Sequence, residues 1–230
     1  MRRTPIMLVH ALLLGLVLLT PGRVRSEPFL DLYGGVADTQ PARVTVTHQD
    51  CVDIFVVFIC AEENKATRKV AFDPSATFGM RGGYWFDSAS WVGVAADVSF
   101  FEAEANHIRF RIVPVSLLVM LRVPLLVTDE IPGGRLQPYV GIGPSFFYRD
   151  STGDFRPETP KKVAVRSVEA GLDARLGVLW QFHRHFGLFA EYRFTHLPMD
   201  VDTNGSPARS TRLNATLDTH HFLTGVSFRF

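Results

Sequence analysis

LDTHHFLTGVSFRF, residues Leu217 to Phe230, ends the chain, and its alternation sets the reading of everything before it. Phe222, Val226, Phe228 and Phe230 share one parity, whereas His221, Gly225, Ser227 and Arg229 share the other. Successive strand side chains point to opposite faces, so a period of two with an apolar and a polar side marks a β-strand lying between two different media.

The same pattern recurs upstream. Val168, Ala170, Leu172, Ala174, Leu176, Val178 and Trp180 alternate with Glu169, Gly171, Asp173, Arg175 and Gly177. Phe186, Leu188, Ala190, Tyr192 and Phe194 oppose Gly187, Phe189, Glu191, Arg193 and Thr195. Val92, Val94, Ala96, Val98 and Phe100 oppose Gly93, Ala95, Asp97 and Ser99. Eight strands are expected, near 28–38, 76–87, 91–103, 109–124, 137–149, 167–181, 185–197 and 217–230, each about as long as a tilted membrane strand. The fourth is irregular: Leu118 and Met120 interrupt its polar face, and Pro114 removes a ladder donor, so a bulge or bend is expected there.

Alternation alone does not say which face meets the core. A soluble sandwich buries its apolar face, whereas a membrane barrel turns that face to lipid and its charges inward. Aromatics at the strand ends favour the second arrangement. Tyr84, Phe86, Trp180, Phe186 and Phe228 would form an inner girdle, and Phe100, Phe146, Tyr148 and Phe194 an outer one. Closure would also remove the edges that an open sheet of this length exposes.

The amino terminus reads as an export signal: Arg2 and Arg3, an apolar run from Ile6 to Leu19, and a break at Pro21-Gly22 before a cut after Ser26. The run is short for a membrane-spanning helix, and no later stretch approaches that length. The 24 basic and 23 acidic residues nearly cancel, which leaves no net field to attract nucleic acid. Cys51 and Cys60, the 2 cysteines of an exported chain, read as one disulfide rather than a metal site.

Three further stretches, Arg81 to Phe86 (RGGYWF), Leu136 to Pro144 (LQPYVGIGP) and Ala190 to His196 (AEYRFTH), together with the aromatic end of the chain, resemble strands 2, 5 and 7 and the closing strand of small bacterial outer-membrane barrels of the OmpA and OmpX type. The resemblance implies an all-β fold, an eight-stranded antiparallel up-and-down transmembrane β-barrel over residues 27–230 behind a signal peptide of residues 1–26. It implies placement in the outer membrane, with Phe228 and Phe230 as the signal to the barrel assembly machinery and with lipid and lipopolysaccharide as surroundings. A monomer is expected. With Phe230 on the periplasmic side, the long connections at 39–75, 150–166 and 198–216 fall outside the cell.

Inward parity collects Arg81, Asp97, Arg122, Arg149, Glu169, Asp173, Arg175, Glu191, Arg193 and Arg229, with Asp31 beside them. Eight strands enclose a space that side chains nearly fill, so these mixed charges are expected to pair and plug the lumen. A narrow, porin-like diffusion channel is the alternative. Gly171, facing inward, is expected to accept serine at small cost. Glu191 and His196 invite comparison with small outer-membrane lipid A deacylases, which resemble this architecture and use a His-x-Ser pair with a Glu near the end of a strand. Here Leu197 and Pro198 follow the histidine, so the nucleophile is missing and no enzymatic role is expected. His183 with His185, and His220 with His221, lack the neighbours that complete a metal site. They are read as solvated, and no metal or cofactor is expected. Lys161, Lys162, Arg166, Arg209 and Arg212 make the outer loops basic, suited to lipopolysaccharide phosphates. The apolar run Val52 to Ile59 between the cysteines suggests either a surface partner at loop 39–75 or a cap over the barrel mouth.

Overall fold

The computed structural model describes residues 26–54, 57–60, 64–105, 108–153, 163–206 and 209–230. The export signal before Ser26 lies outside them, as do Lys161 and Lys162. The strands are β1 (Ser26–Thr39), β2 (Ala42–Ile54), β3 (Val57–Cys60), β4 (Asn64–Val70), β5 (Ser75–Phe86), β6 (Ala89–Ala105), β7 (Ile108–Arg122), β8 (Leu136–Gly153), β9 (Val163–His183), β10 (Phe186–Ser206) and β11 (Arg209–Arg229). β1 and β5 to β11 pair in sequence order, always antiparallel, and β1 pairs again with β11 to close an eight-stranded barrel. Closure leaves the wall without an edge strand, which a lipid environment requires.

The faces are those of a membrane protein. Outward Leu176, Trp180 and Val119 are 58%, 56% and 53% exposed, whereas inward Arg81 and Arg193 are 1% and 0% exposed. The aromatic rims are built by local pairs. Phe186 meets Phe228 edge-on with ring centroids 5.6 Å apart, and Tyr84 meets Phe86 in the same way at 5.0 Å. Two glycyl residues mark close backbone approach. A Cβ on Gly143 would lie 1.8 Å from the Leu117 carbonyl oxygen, and one on Gly171 would lie 2.1 Å from that of His196. Serine at 171 is therefore not benign, contrary to the expectation from its inward parity.

Two other expectations are changed by the structure, for physical reasons. No bulge occurs around Pro114: the β7 registers with β6 and β8 run unshifted, and the β6–β7 pairing merely lapses between Val98–Val115 and Phe101–Ile112. Proline removes one donor without changing the residue count, so the ladder opens locally and resumes in register. The strands also exceed membrane length, with β9, β10 and β11 at 21 residues each, because their hairpins continue beyond the lipid on the outer side. Above Thr39, where β1 leaves β11, β2 takes over the vacated edge by pairing Thr45 to Asp50 with Asn214 to Arg209. β4 then pairs with β2, so the long first connection is mainly sheet. An uncovered edge would be open to pairing with other chains.

Candidate functional site

The lumen gathers polar side chains from all eight barrel strands. At its centre Arg175 on β9 reaches Asp97 at 2.8 Å, Asp173 at 2.8 Å and Glu191 at 3.3 Å. Arg81 on β5 holds Asp31 at 2.7 Å and Glu191 at 2.5 Å. Arg193 on β10 lies 2.8 Å from Asp173, a charge contact outside hydrogen-bond alignment, and donates to Ser99 Oγ at 2.6 Å. Neutral donors complete the set. Tyr33 donates to Asp97 at 2.8 Å, Tyr139 to Glu191 at 2.7 Å and Ser116 to Asp173 at 2.6 Å. These donors matter because three arginines face four carboxylates, and a buried carboxylate left short of donors is costly. β11 contributes His221, fully buried, with Nε2 3.2 Å from Thr195 Oγ1 and its ring edge-on to Phe101.

The remaining inward charges divide between the two ends. Towards the periplasm, Arg122 donates to Glu27 at 2.6 Å, to Gln137 at 2.9 Å and to the Ser90 carbonyl at 2.7 Å, and its guanidinium lies 4.5 Å from the Trp85 ring centroid. Arg229 lies nearby with its guanidinium over Phe29. Towards the outside, Arg149 meets Glu169 at 3.1 Å. Thus Arg81, Asp97, Asp173, Arg175, Glu191 and Arg193 form one network, and Arg122, Arg229 and Glu169 stand apart from it. Sequence reasoning overlooked Tyr33, Ser116 and Tyr139, whose inward parity was visible but whose uncharged side chains carried no signal.

The network is packed from both sides. Phe29, Trp85, Met120, Leu179 and Phe189 lie beneath it, and Phe101, Ile112, Phe147, Leu197 and Leu217 above. The cavity between it and the lower apolar layer, bounded by Asp31, Arg81, Tyr139 and Arg229 with Phe29, Trp85 and Phe189, has a volume of about 10 Å³. That is room for about one water.

The histidines separate by face. His221 is in the lumen rather than solvated: β11 parity turns it inward, opposite Arg193 in the ladder. His220 faces out, with Nδ1 2.5 Å from Tyr192 OH and Nε2 2.6 Å from Gln40. His196 Nδ1 lies 2.6 Å from Asp218 Oδ1. A carboxylate orienting an imidazole supplies two thirds of an acyl-transfer triad, but Pro198 offers no hydroxyl. His183 and His185 place their rings 5.7 Å apart in the exposed β9–β10 turn. Among the described residues no group of three or more His, Cys, Asp or Glu is placed to hold a metal.

A family model described as "Outer membrane protein beta-barrel domain" matches residues 52–230. The chain belongs to this family. It is thereby an outer-membrane β-barrel protein, and its charged lumen and apolar exterior suit that setting. No match was found among curated protein sequences. Among solved structures, this outer-membrane barrel resembles the outer membrane protein OprG from Pseudomonas aeruginosa, with TM-score 0.51 and 13% identity over 91% of this chain and 98% of that one. It also resembles Neisserial surface protein A, with TM-score 0.47 and 12% identity over 86% of this chain and 99% of that one. At these identities the likeness extends to the fold alone.

Proposed function

We propose that this barrel is a closed anchor with a structural or interaction role at the cell surface, and neither a diffusion channel nor an enzyme. The packed charge network supports this reading most directly. Its arginines and carboxylates pair across the bore, and the small cavity beside them, lined by Asp31, Arg81 and Tyr139, has room for about one water. In this proposal the lipid face meets outer-membrane lipid and lipopolysaccharide, and the chain acts as a monomer. Phe228 and Phe230 present the closing strand to the assembly machinery. If the outward His196–Asp218 pair is catalytically silent, expressing the chain should leave lipid A acylation unchanged by mass spectrometry. Loss of an acyl chain that depends on His196 would overturn the non-enzymatic reading.

The surface role centres on the first connection. β2 and β3 pair with Cys51 opposite Cys60, Val52 opposite Ile59, Asp53 opposite Phe58 and Ile54 opposite Val57. Directly opposed residues of an antiparallel pair have Cα atoms about 4.5–5.5 Å apart, within the disulfide range of about 4.4–6.8 Å. We infer a disulfide at the base of this hairpin, contributing about 2–3 kcal/mol to its closure. The apolar hairpin it closes is the proposed partner-binding segment. In intact cells a membrane-impermeant maleimide should label neither cysteine before reduction and both after it, with the barrel still folded. Labelling without reductant would refute the disulfide. No labelling after reduction would refute surface exposure.

A further inference from the structure

We infer that the periplasmic mouth of the barrel is a binding site for a small organic carboxylate carrying an apolar group. A cavity of about 380 Å³ lies there, between the barrel end and the β7–β8 connection. Ligand sites for small molecules begin at about 300 Å³, whereas the inner cavity beneath the charge network holds about one water.

Trp85, Arg122 and Arg229 all line this cavity, and they differ in how far they are satisfied. Arg122 is committed to Glu27, Gln137 and the Ser90 carbonyl. Arg229 is only 6% exposed, yet its Nε and Nη1 lack hydrogen-bond partners, and Glu27 Oε1 lies 3.7 Å from Nη1. Trp85, 2% exposed, likewise has an unpartnered indole Nε1. All three orphan atoms are donors, and leaving buried donors unmatched is costly. They call for an acceptor, and a carboxylate meets a guanidinium fork and an adjacent N–H better than a neutral group does. Glu27 meets Arg229 only at ion-pair distance, Oε1 standing 3.7 Å from Nη1 while Oε2 holds Arg122 at 2.6 Å, so the Arg229 donors stay without a hydrogen bond.

The rim adds little charge selection, since Arg184 and His185 stand with Asp87 and Glu130 around the same opening. Phe86, Ile131, Pro132 and Phe230 give the cavity an apolar wall, Ile131 itself being buried. The ligand class follows from these two halves: an acid end towards Arg229 and Trp85, and a hydrocarbon end against Ile131 and Phe230. Arg229 and Trp85 also line the small inner cavity, so a carboxylate bound in the vestibule would sit directly beneath the lumen network.

The protein in lipid nanodiscs, with ¹⁵N-labelled tryptophan, provides the test. Its 3 tryptophans give separate indole N–H resonances, and Trp85→Phe assigns one by deletion. N-acetylphenylalanine should move the Trp85 resonance downfield in a saturable way. Its neutral amide should not, and inorganic phosphate should need at least about tenfold higher concentration. Arg229→Gln should weaken the response about tenfold or more. Should that variant fail to fold, because Arg229 belongs to the closing strand, the contrast between acid and amide on the parent protein decides. An equal response to acid and amide, a response to phosphate as strong as to the acid, or no saturable response at millimolar acid would each overturn the site.

Discussion

Replacing Arg175 with methionine should destabilise the barrel by about 3–5 kcal/mol, because removing one partner of a buried ion pair leaves its counter-charge uncompensated. Arg175 makes ion pairs with three carboxylates at once, those of Asp97, Asp173 and Glu191, and its side chain is fully buried. Methionine keeps an unbranched apolar stem but is shorter and offers no donor, and it leaves Arg81 and Arg193, with Tyr33, Tyr139 and Ser116 as neutral donors, as two cations against four carboxylates. Arg111→Met on the outer part of β7 is the contrast. Its ion pair with Glu102 at 3.2 Å is made by a side chain that is 59% exposed, and exposed pairs contribute about 0–1 kcal/mol. Urea titration of both variants in lipid vesicles, followed by tryptophan fluorescence, measures the difference. Similar losses for the two would mean that the lumen network adds no more stability than a surface pair.

Leu176→Arg should cost about 2–4 kcal/mol, the penalty for a basic side chain on the lipid face near the bilayer midplane. Leu176 points outward from the middle of the lipid-crossing part of β9, paired with Val140 and Tyr192 on its two sides. Asp173 and Arg175, on the opposite parity of the same strand, are buried in the lumen. The same titration checks this. A gain in stability in lipid, or no change, would mean that the apolar face does not meet hydrocarbon.

Much of this architecture was legible because a barrel wall repeats one rule, apolar out and polar in, along each strand. Parity alone brought Arg81, Asp97, Asp173, Arg175, Glu191 and Arg193 to one side, and closure of the sheet brought them into contact. Parity could not reveal which inward residues complete the network, since Tyr33 and Ser116 look the same whether they fill space or donate to a carboxylate. Nor could it reveal close approach between strands. Gly171 faces the His196 carbonyl, a neighbour set by ladder register and not by local sequence. β2 carries recognisable alternation, Val44 and Val46 among threonines, whereas β4, Asn64–Val70, does not. Both escaped a search for membrane-length strands because they extend the wall outside the bilayer. The vestibule was similarly hidden: Glu27 and Arg122 are 95 residues apart and meet only because β1 closes the barrel.

Single-channel recording in planar bilayers tests the closed lumen most directly. With Arg175, Arg81 and Arg193 paired with carboxylates across the bore, and space for about one water in the cavity beside Arg81, the purified protein should give a flat baseline at moderate voltage. Discrete openings should emerge only when the network is cut, as in Arg175→Met. A large, stable, ion-selective conductance from the unaltered protein would contradict the plug and make the barrel a channel.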